Sequence, residues 1–334
     1  MKKIIYGFGI LFLALIVILN VLFTAHLNEH ENIAIHWNNF FYIGGIAILG
    51  GLLFLGTKKL DNYFNNEVSE DRKKKRKILL IVVCTIYVLL NILWVALVRI
   101  GVGADQVHVC NLAQTFYRGD LEEFLPKMTY AAIPLSEYVQ GYTQQITLAF
   151  VFNICFKIFH ADLYVVVLRL INIVCNCLIV YGLYKISQQI SKQYKTNKVL
   201  LFTLILTFFP LIMLSNFIYG DIPSLALCLF SIYFMMRYTE SKKWKYALLA
   251  TFFMMIAYMM RMNNLIFIIA TVIYLLLTMW KEMKQTNWKQ KGFELGIILT
   301  FVVISIFPST LVKNYYINKL ELDKTKSYPT ISYF

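Results

Sequence analysis

Residues 246–280 read YALLATFFMMIAYMMRMNNLIFIIATVIYLLLTMW, a long apolar run with a single charge, Arg261. One membrane-crossing helix needs only about 20 such residues. Arg261, Asn263 and Asn264 interrupt the run near its middle. It therefore divides into a hairpin of two helices, 246–260 and 264–280, whose tip carries an arginine.

The rest of the chain has the same character. Its 334 residues are 59% hydrophobic and 15% charged, with 26 Phe and a mean hydropathy of +0.63. Soluble domains carry roughly 25% charged residues. A soluble enzyme, a disordered chain, a secreted disulfide scaffold and an ordinary DNA-binding domain are excluded. The fold class is all-α, a polytopic transmembrane helix bundle. Further apolar runs occupy 4–23, 38–56, 78–98, 162–184, 199–218, 222–238 and 293–312. The first follows Met1-Lys2-Lys3, is too long for a signal-peptide core and has no A-x-A-like cleavage site, so it reads as an uncleaved span.

Charge sets the sidedness. The net charge of +14 sits in short Lys/Arg blocks between apolar runs, as in cytoplasmic loops, so no nucleic-acid partner is expected. The blocks are Lys58–Lys77, Lys185–Lys198, Arg237–Lys245 and Lys281–Lys291; the 24–36 loop has Glu29 and Glu31 and no Lys or Arg. All the blocks face the cytoplasm only if the short run 146–159 does not cross. That run is then a re-entrant or interfacial helix. The result is nine spans, with the N-terminus in and the C-terminus out. Three regions follow: an N-terminal two-span hairpin, 1–56; a basic cytoplasmic loop, 57–77; and the main transmembrane module, 78–334. Residues 99–161 form a large extracytoplasmic segment. It opens with an amphipathic helix from Asp105 to Arg118 and continues through the acidic Asp120, Glu122 and Glu123.

The six cysteines show no C-x-x-C pair and lie mostly in apolar runs, so they read as small core side chains. There is no phosphate-binding G-x-x-x-x-G-K-[ST] loop, no G-x-S-x-G and no H-E-x-x-H. His26 and His30, with Glu29, Glu31 and His36 nearby, have metal-ligand spacing, but a solvated loop explains them as well.

Three ionisable residues stand out. Asp105 follows Gly101-Val102-Gly103-Ala104 just beyond a span, and Asp221 opens the helix after Tyr219-Gly220. Either could be a helix cap. The topology puts both on one face, where two carboxylates could act as a base and as holders of a divalent metal ion or of an acceptor. Arg261 is a cation on the side the positive-inside pattern leaves poor in Lys and Arg, and its planar fork suits phosphate. His108, one turn from Asp105, could assist it.

Four segments together resemble the integral-membrane glycosyltransferases of the GT-C fold, in the branch of protein O-mannosyltransferase-like and aminoarabinose-transferase-like proteins, the Gram-positive bacterial members above all. They are Asp105-Gln106 with Tyr117-Arg118-Gly119-Asp120; Tyr138 to Gln145; the span with Arg169 and Asn172; and Tyr219-Gly220-Asp221-Ile222-Pro223. The resemblance covers residues 78–334. It implies a polyprenyl-phosphate-sugar donor, an extracytoplasmic acceptor (a cell-wall polymer, lipid or protein) and action at the lipid bilayer. It makes Asp105 and Asp221 catalytic or metal-holding, and Gln106, Tyr142, Gln144, Tyr219 and Arg261 substrate-binding. Such proteins usually continue beyond the point where this chain stops, Tyr328 to Phe334, which implies a module incomplete at its C-terminus.

Two other readings stay open on sequence alone. One is a non-catalytic membrane protein or inactive truncated remnant. The other is a transporter or flippase, although transport sites lie near the bilayer midplane and these charges cluster at the boundary.

Overall fold

A computed structural model describes residues 2–22, 24–27, 33–36, 40–65, 70–98, 101–103, 105–121, 129–130, 133–192, 197–282 and 288–326. The chain forms two units. One comprises Met1–Lys74 with Asn197–Thr203, the other Lys75–Thr196 with Leu204–Phe334.

In the first unit, helix α1 (Lys2–Leu22) leads into an antiparallel pair, β1 (Thr24–Leu27) and β2 (Ile33–His36), and then α2 (Phe40–Asn65). The sequence reading expects a loop at 24–36. The β-branched Thr24, Ile33 and Ile35 favour the extended backbone that forms instead. His26 lies opposite Ala34 and His36 opposite Thr24; Glu29, His30 and Glu31 lie outside the described residues. Helix α2 continues through Lys58 and Lys59, and α3 (Glu70–Leu97) includes Arg72–Lys77. Much of the expected basic loop is thus helical, because Lys and Arg are good helix formers once an adjacent apolar helix has nucleated. Asp61, buried on α2, accepts from the Lys198 amide at 3.2 Å. Asn197 caps the same helix start by accepting from the Leu200 amide at 2.9 Å.

The second unit holds the rest of α3; α4 (Asp105–Arg118); a two-residue ladder, β3 (Thr129–Tyr130) with β4 (Ile133–Pro134); α5 (Leu135–Gly141); α6 (Gln145–Phe159); α7 (Tyr164–Ser191); the end of α8 (Lys198–Thr207); α9 (Phe209–Met213); α10 (Asp221–Ser241); α11 (Trp244–Met260); α12 (Leu265–Glu282); and α13 (Trp288–Lys319). The strands are too short to alter the class, and the fold is an all-α membrane bundle. Helix α10 packs along α7 and α11, and α11 packs on α13. Small residues permit close approach. A Cβ on Gly182 of α7 would stand 3.3 Å from Leu229 Cβ of α10, and Ala247, Ala250 and Ala257 of α11 are buried. Exposed Leu, Ile and Phe side chains cover the outside, as lipid contact requires.

Among the described residues, four helices are long and apolar enough to cross a membrane: Tyr164–Ser191, Asp221–Ser241, Met262–Glu282 and Trp288–Lys319. A fifth results if Lys198–Thr207 and Phe209–Asn216, bent by 49°, form one broken span. The sequence reading expects nine. Two shorter apolar stretches are Ile81–Leu97, the second part of α3, and Trp244–Met260, which at 17 residues reaches only about 25 Å.

The bend at Phe208 has a local cause. Pro210 has no amide proton to give to the Leu206 carbonyl, and its ring crowds that carbonyl, so the helix cannot continue through it and restarts with proline in its first turn. Beyond the bend, backbone carbonyls of the irregular segment are met by buried side-chain amides. Asn176 of α7 donates to Leu211 O at 2.8 Å, and Asn172 donates to Ser215 O at 3.1 Å and Phe217 O at 3.0 Å. Ser215 donates to Asn91 of α3 at 2.7 Å. In lipid this is the way an irregular segment keeps its backbone satisfied.

Helix α6 stays at one end of the bundle. Leu148, in its first turn, lies against Gly220, and Phe156, in its last, has its ring 5.4 Å from that of Tyr164 at the start of α7. The far end of α7 is elsewhere, where Gln189 and Lys192 meet Glu240 in the last turn of α10. Run 146–159 therefore does not traverse the bundle, as the charge pattern requires.

Candidate active site

Helix α4 carries the first candidate. The sequence-derived bounds, Asp105 to Arg118, are those of the helix. Its apolar side, with Val109, Leu112, Ala113 and Phe116, is buried against α6. Asp105 stands exposed at the helix start, and its carboxylate accepts a hydrogen bond from the Tyr219 hydroxyl at 3.1 Å.

The second candidate is positioned by a glycine. Gly220 is the N-cap of α10 with φ 79°. A Cβ there would stand 2.8 Å from Leu148 Cδ1, so the left-handed turn and the close approach both require glycine. With Gly220 at the cap, Asp221 occupies the first helical position, where its charge opposes the positive end of the helix dipole. Its side chain is not spent on capping. It pairs instead with Arg261, Nε to Oδ1 at 2.9 Å, and both side chains are only partly exposed.

Arg261 ends α11 in extended conformation. Its guanidinium also lies over the Tyr219 ring, 4.6 Å from the centroid. Asn264 beside it serves the fold, its amide donating to Ala257 O at 2.8 Å and so satisfying a carbonyl at the helix end. Asp105 and Asp221 thus belong to one cluster, joined through Tyr219 and Arg261.

Tyr219 is the centre of that cluster. It is buried, receives a short hydrogen bond from the Gln145 side-chain amide, and lies 3.5 Å from the Tyr138 hydroxyl. Burial, with a smaller contribution from Asp105, pushes its phenol up to about 12, against the opposing effects of the Tyr138 hydrogen bond and Arg261. Tyr138 is pushed up further, mainly by burial and then by Tyr219. Behind Tyr138 the His108 ring stacks at 4.2 Å between centroids, and on Tyr138 lies Tyr142 at 4.8 Å. His108 is buried, and burial lowers its proton affinity more than the nearby Asp105 raises it.

The other sequence-derived candidates sit around this core. Gln106 is buried and its Oε1 accepts from the Ile218 amide at 2.8 Å, so it fastens the 217–220 turn to α4. Tyr142 is half-buried at the end of the aromatic stack. Gln144 is the N-cap of α6 and makes no side-chain cap bond; its neighbour Gln145 is the glutamine that reaches Tyr219. Sequence reasoning missed Tyr138 and Gln145. The Tyr138-x-x-x-Tyr142 spacing was available as a signal, but nothing local marks which glutamine points inward. Arg99, Glu122, Glu123 and Tyr328–Phe334 lie outside the described residues.

These groups fit a resident divalent ion poorly. Among the described residues no three His, Cys, Asp or Glu side chains converge. Asp221 is already bound to a cation that would repel the ion. A small cavity of about 20 Å³ behind Tyr219, lined by Phe152, Leu168, Asn172 and Met260 among others, has room for little more than a water.

Comparison with known proteins adds one result. The family model described as dolichyl-phosphate-mannose-protein mannosyltransferase matches residues 144–307. Tyr219, Asp221 and Arg261 fall within the match, and Asp105 precedes it. No curated protein and no solved structure matched the chain. The match makes just under half of the chain similar to that membrane glycosyltransferase family, and the apolar helices that surround the cluster are those of a multi-pass membrane protein.

Proposed function

We propose that the protein transfers a sugar from a polyprenyl-phosphate carrier to an extracytoplasmic acceptor hydroxyl or amine, with Asp105 as base and Arg261 as the site of the donor phosphate. One observation carries the reading. An exposed carboxylate meets the hydroxyl, and an arginine fork the ring face, of a single buried tyrosine at one end of a membrane bundle. The reaction needs those two groups. The acceptor oxygen or nitrogen forms a bond to the anomeric carbon, the bond from that carbon to the phosphate oxygen breaks, the acceptor proton passes to Asp105, and polyprenyl phosphate leaves with its charge held by Arg261. Asp221 supports this by fixing the guanidinium through Nε, which leaves the Nη edge for the phosphate. The Asp221 end is extracytoplasmic in this reading, because the Lys-rich blocks lie at the other ends of the same helices. That places the N-terminus in the cytoplasm and the C-terminus outside. Residues 78–334 form the catalytic module, and the half-buried Tyr142 and Gln144 border the acceptor side.

The test is Asp105→Asn in a transfer assay with a polyprenyl-phosphate sugar. Asn keeps the shape and can still sit at a helix start, but it takes no proton at neutral pH. Transfer is expected to fall by about 100-fold or more with detergent melting unchanged. Transfer at the wild-type rate would remove Asp105 from the mechanism.

A further inference from the structure

We infer that Tyr219 is a positioning residue that mounts the acceptor-side carboxylate and the donor-side cation on one side chain, its hydroxyl orienting Asp105 and its ring orienting Arg261. The inference rests on the function proposed above and goes beyond it by separating two roles within one residue. At 7% exposure Tyr219 is too enclosed to serve as a substrate contact itself.

The hydrogen-bond arithmetic is constrained. A phenol has one proton to give. The Gln145 amide can only donate to the Tyr219 oxygen, and the Asp105 carboxylate can only accept from it. The proton is therefore committed to Asp105, and Tyr138 is left as a donor to Tyr219. Burial keeps the phenol protonated across the physiological range. Asp105 Oδ2 is thus held in place, and no described residue bonds Oδ1, which is left for the acceptor proton. The ring does separate work. It lies under the Arg261 guanidinium while Asp221 takes Nε, which fixes both the plane and the roll of the fork. Gln106 and Gly220 hold the 217–220 turn that carries the tyrosine.

Two substitutions separate the roles. Tyr219→Phe removes the hydroxyl and keeps the ring; Tyr219→Leu removes both. Tyr219→Phe is expected to lower kcat by about 10- to 100-fold, the effect of losing a hydrogen bond to a charged group. Its KM for the donor and its binding of polyprenyl phosphate should stay at wild-type values. Tyr219→Leu should show the same kcat loss and in addition bind polyprenyl phosphate about 3- to 30-fold more weakly. Gln145→Met reaches the same phenol from outside, and should give a smaller kcat loss with binding and melting unchanged; it serves if Tyr219→Phe does not fold. A wild-type kcat in both Tyr219→Phe and Gln145→Met would overturn the inference. So would equal polyprenyl phosphate binding by the Phe and Leu variants. If Asp105→Asn abolishes transfer while Tyr219→Phe and Gln145→Met keep the wild-type kcat, the coupling fails and the proposed function stands. If the wild type transfers no sugar, the proposed function fails, and the binding comparison still decides the role of the ring.

Discussion

The two ends of α10 carry ion pairs of similar exposure and different completeness. At one end Lys242, the C-cap with φ 55°, reaches Glu282 at 2.6 Å and Glu294 at 2.8 Å. One ammonium there serves two carboxylates and ties α10 to α12 and α13. At the other end Arg261 meets Asp221 through Nε alone, and Asp105 beside it is exposed. Exposure does not distinguish them, since Lys242 is 32% exposed, Arg261 25% and Asp221 32%. The use made of the cation does. Lys242 binds both of its carboxylates directly. At the Asp221 end, no described residue bonds the Nη edge of the fork or the second oxygen of Asp105. A satisfied cluster is a fastening, and an incompletely satisfied one, held open by rigid neighbours, is a place for a ligand.

The contrast breaks most sharply with Arg261→Gln. If this end is the donor site, transfer efficiency falls by about 100-fold, the scale of losing a charged transition-state contact. A change in melting with normal kinetics would make it a second fastening. Lys242→Met should behave in the opposite way. It strands Glu294, whose side chain is only 8% exposed, and should cost about 2 kcal/mol of stability, less than the full penalty for a buried charge because Glu282 remains partly solvated. kcat should not change. Thermal melting in detergent beside initial rates decides both.

Gly220→Ala sharpens the comparison further. The added Cβ meets Leu148 and the backbone has positive φ, so about 1–2 kcal/mol of strain is expected. The strain falls between Tyr219 and Asp221 and should lower kcat as well as melting temperature, whereas Ala at Gly292, where a Cβ meets nothing, should leave both alone.

The smallest effect concerns pH. Burial lowers the proton affinity of His108 in the folded state, so the unfolded chain binds the proton more readily. Stability from this group is fully present above its ordinary value of about 6.5 and is lost as pH falls through that value toward the folded one. His108→Phe keeps an aromatic ring against Tyr138 and should flatten the acid limb of the melting profile. An unchanged acid limb would show that His108 does not titrate differently in the two states.

Much of the molecule is legible in the chain itself. Apolar run length identifies the helices, because a lipid-embedded backbone must satisfy its hydrogen bonds within the segment. The hairpin at Arg261, the amphipathic helix from Asp105 and the non-traversing run 146–159 all follow from hydropathy and charge. The candidate ions were legible too, since charge at the edge of an apolar run is rare enough to stand out. Of the nine spans expected, four or five are long and apolar enough among the described residues.

Other features were decided only when distant segments met. Tyr219, Asp105 and Gln145 are far apart in the chain, and no local pattern reports that a phenol proton has a single place to go. Gln144 and Gln145 are equivalent as letters; the start of α6 chooses between them. Asn172 and Asn176 look like dilute polar residues until the segment after Phe208 brings them the carbonyls of Leu211, Ser215 and Phe217. Periodicity and hydropathy are local sums over neighbours in sequence. Which bonds a charged side chain makes is a property of neighbours in space, and that is what separates the doubly paired Lys242 from the singly paired Arg261.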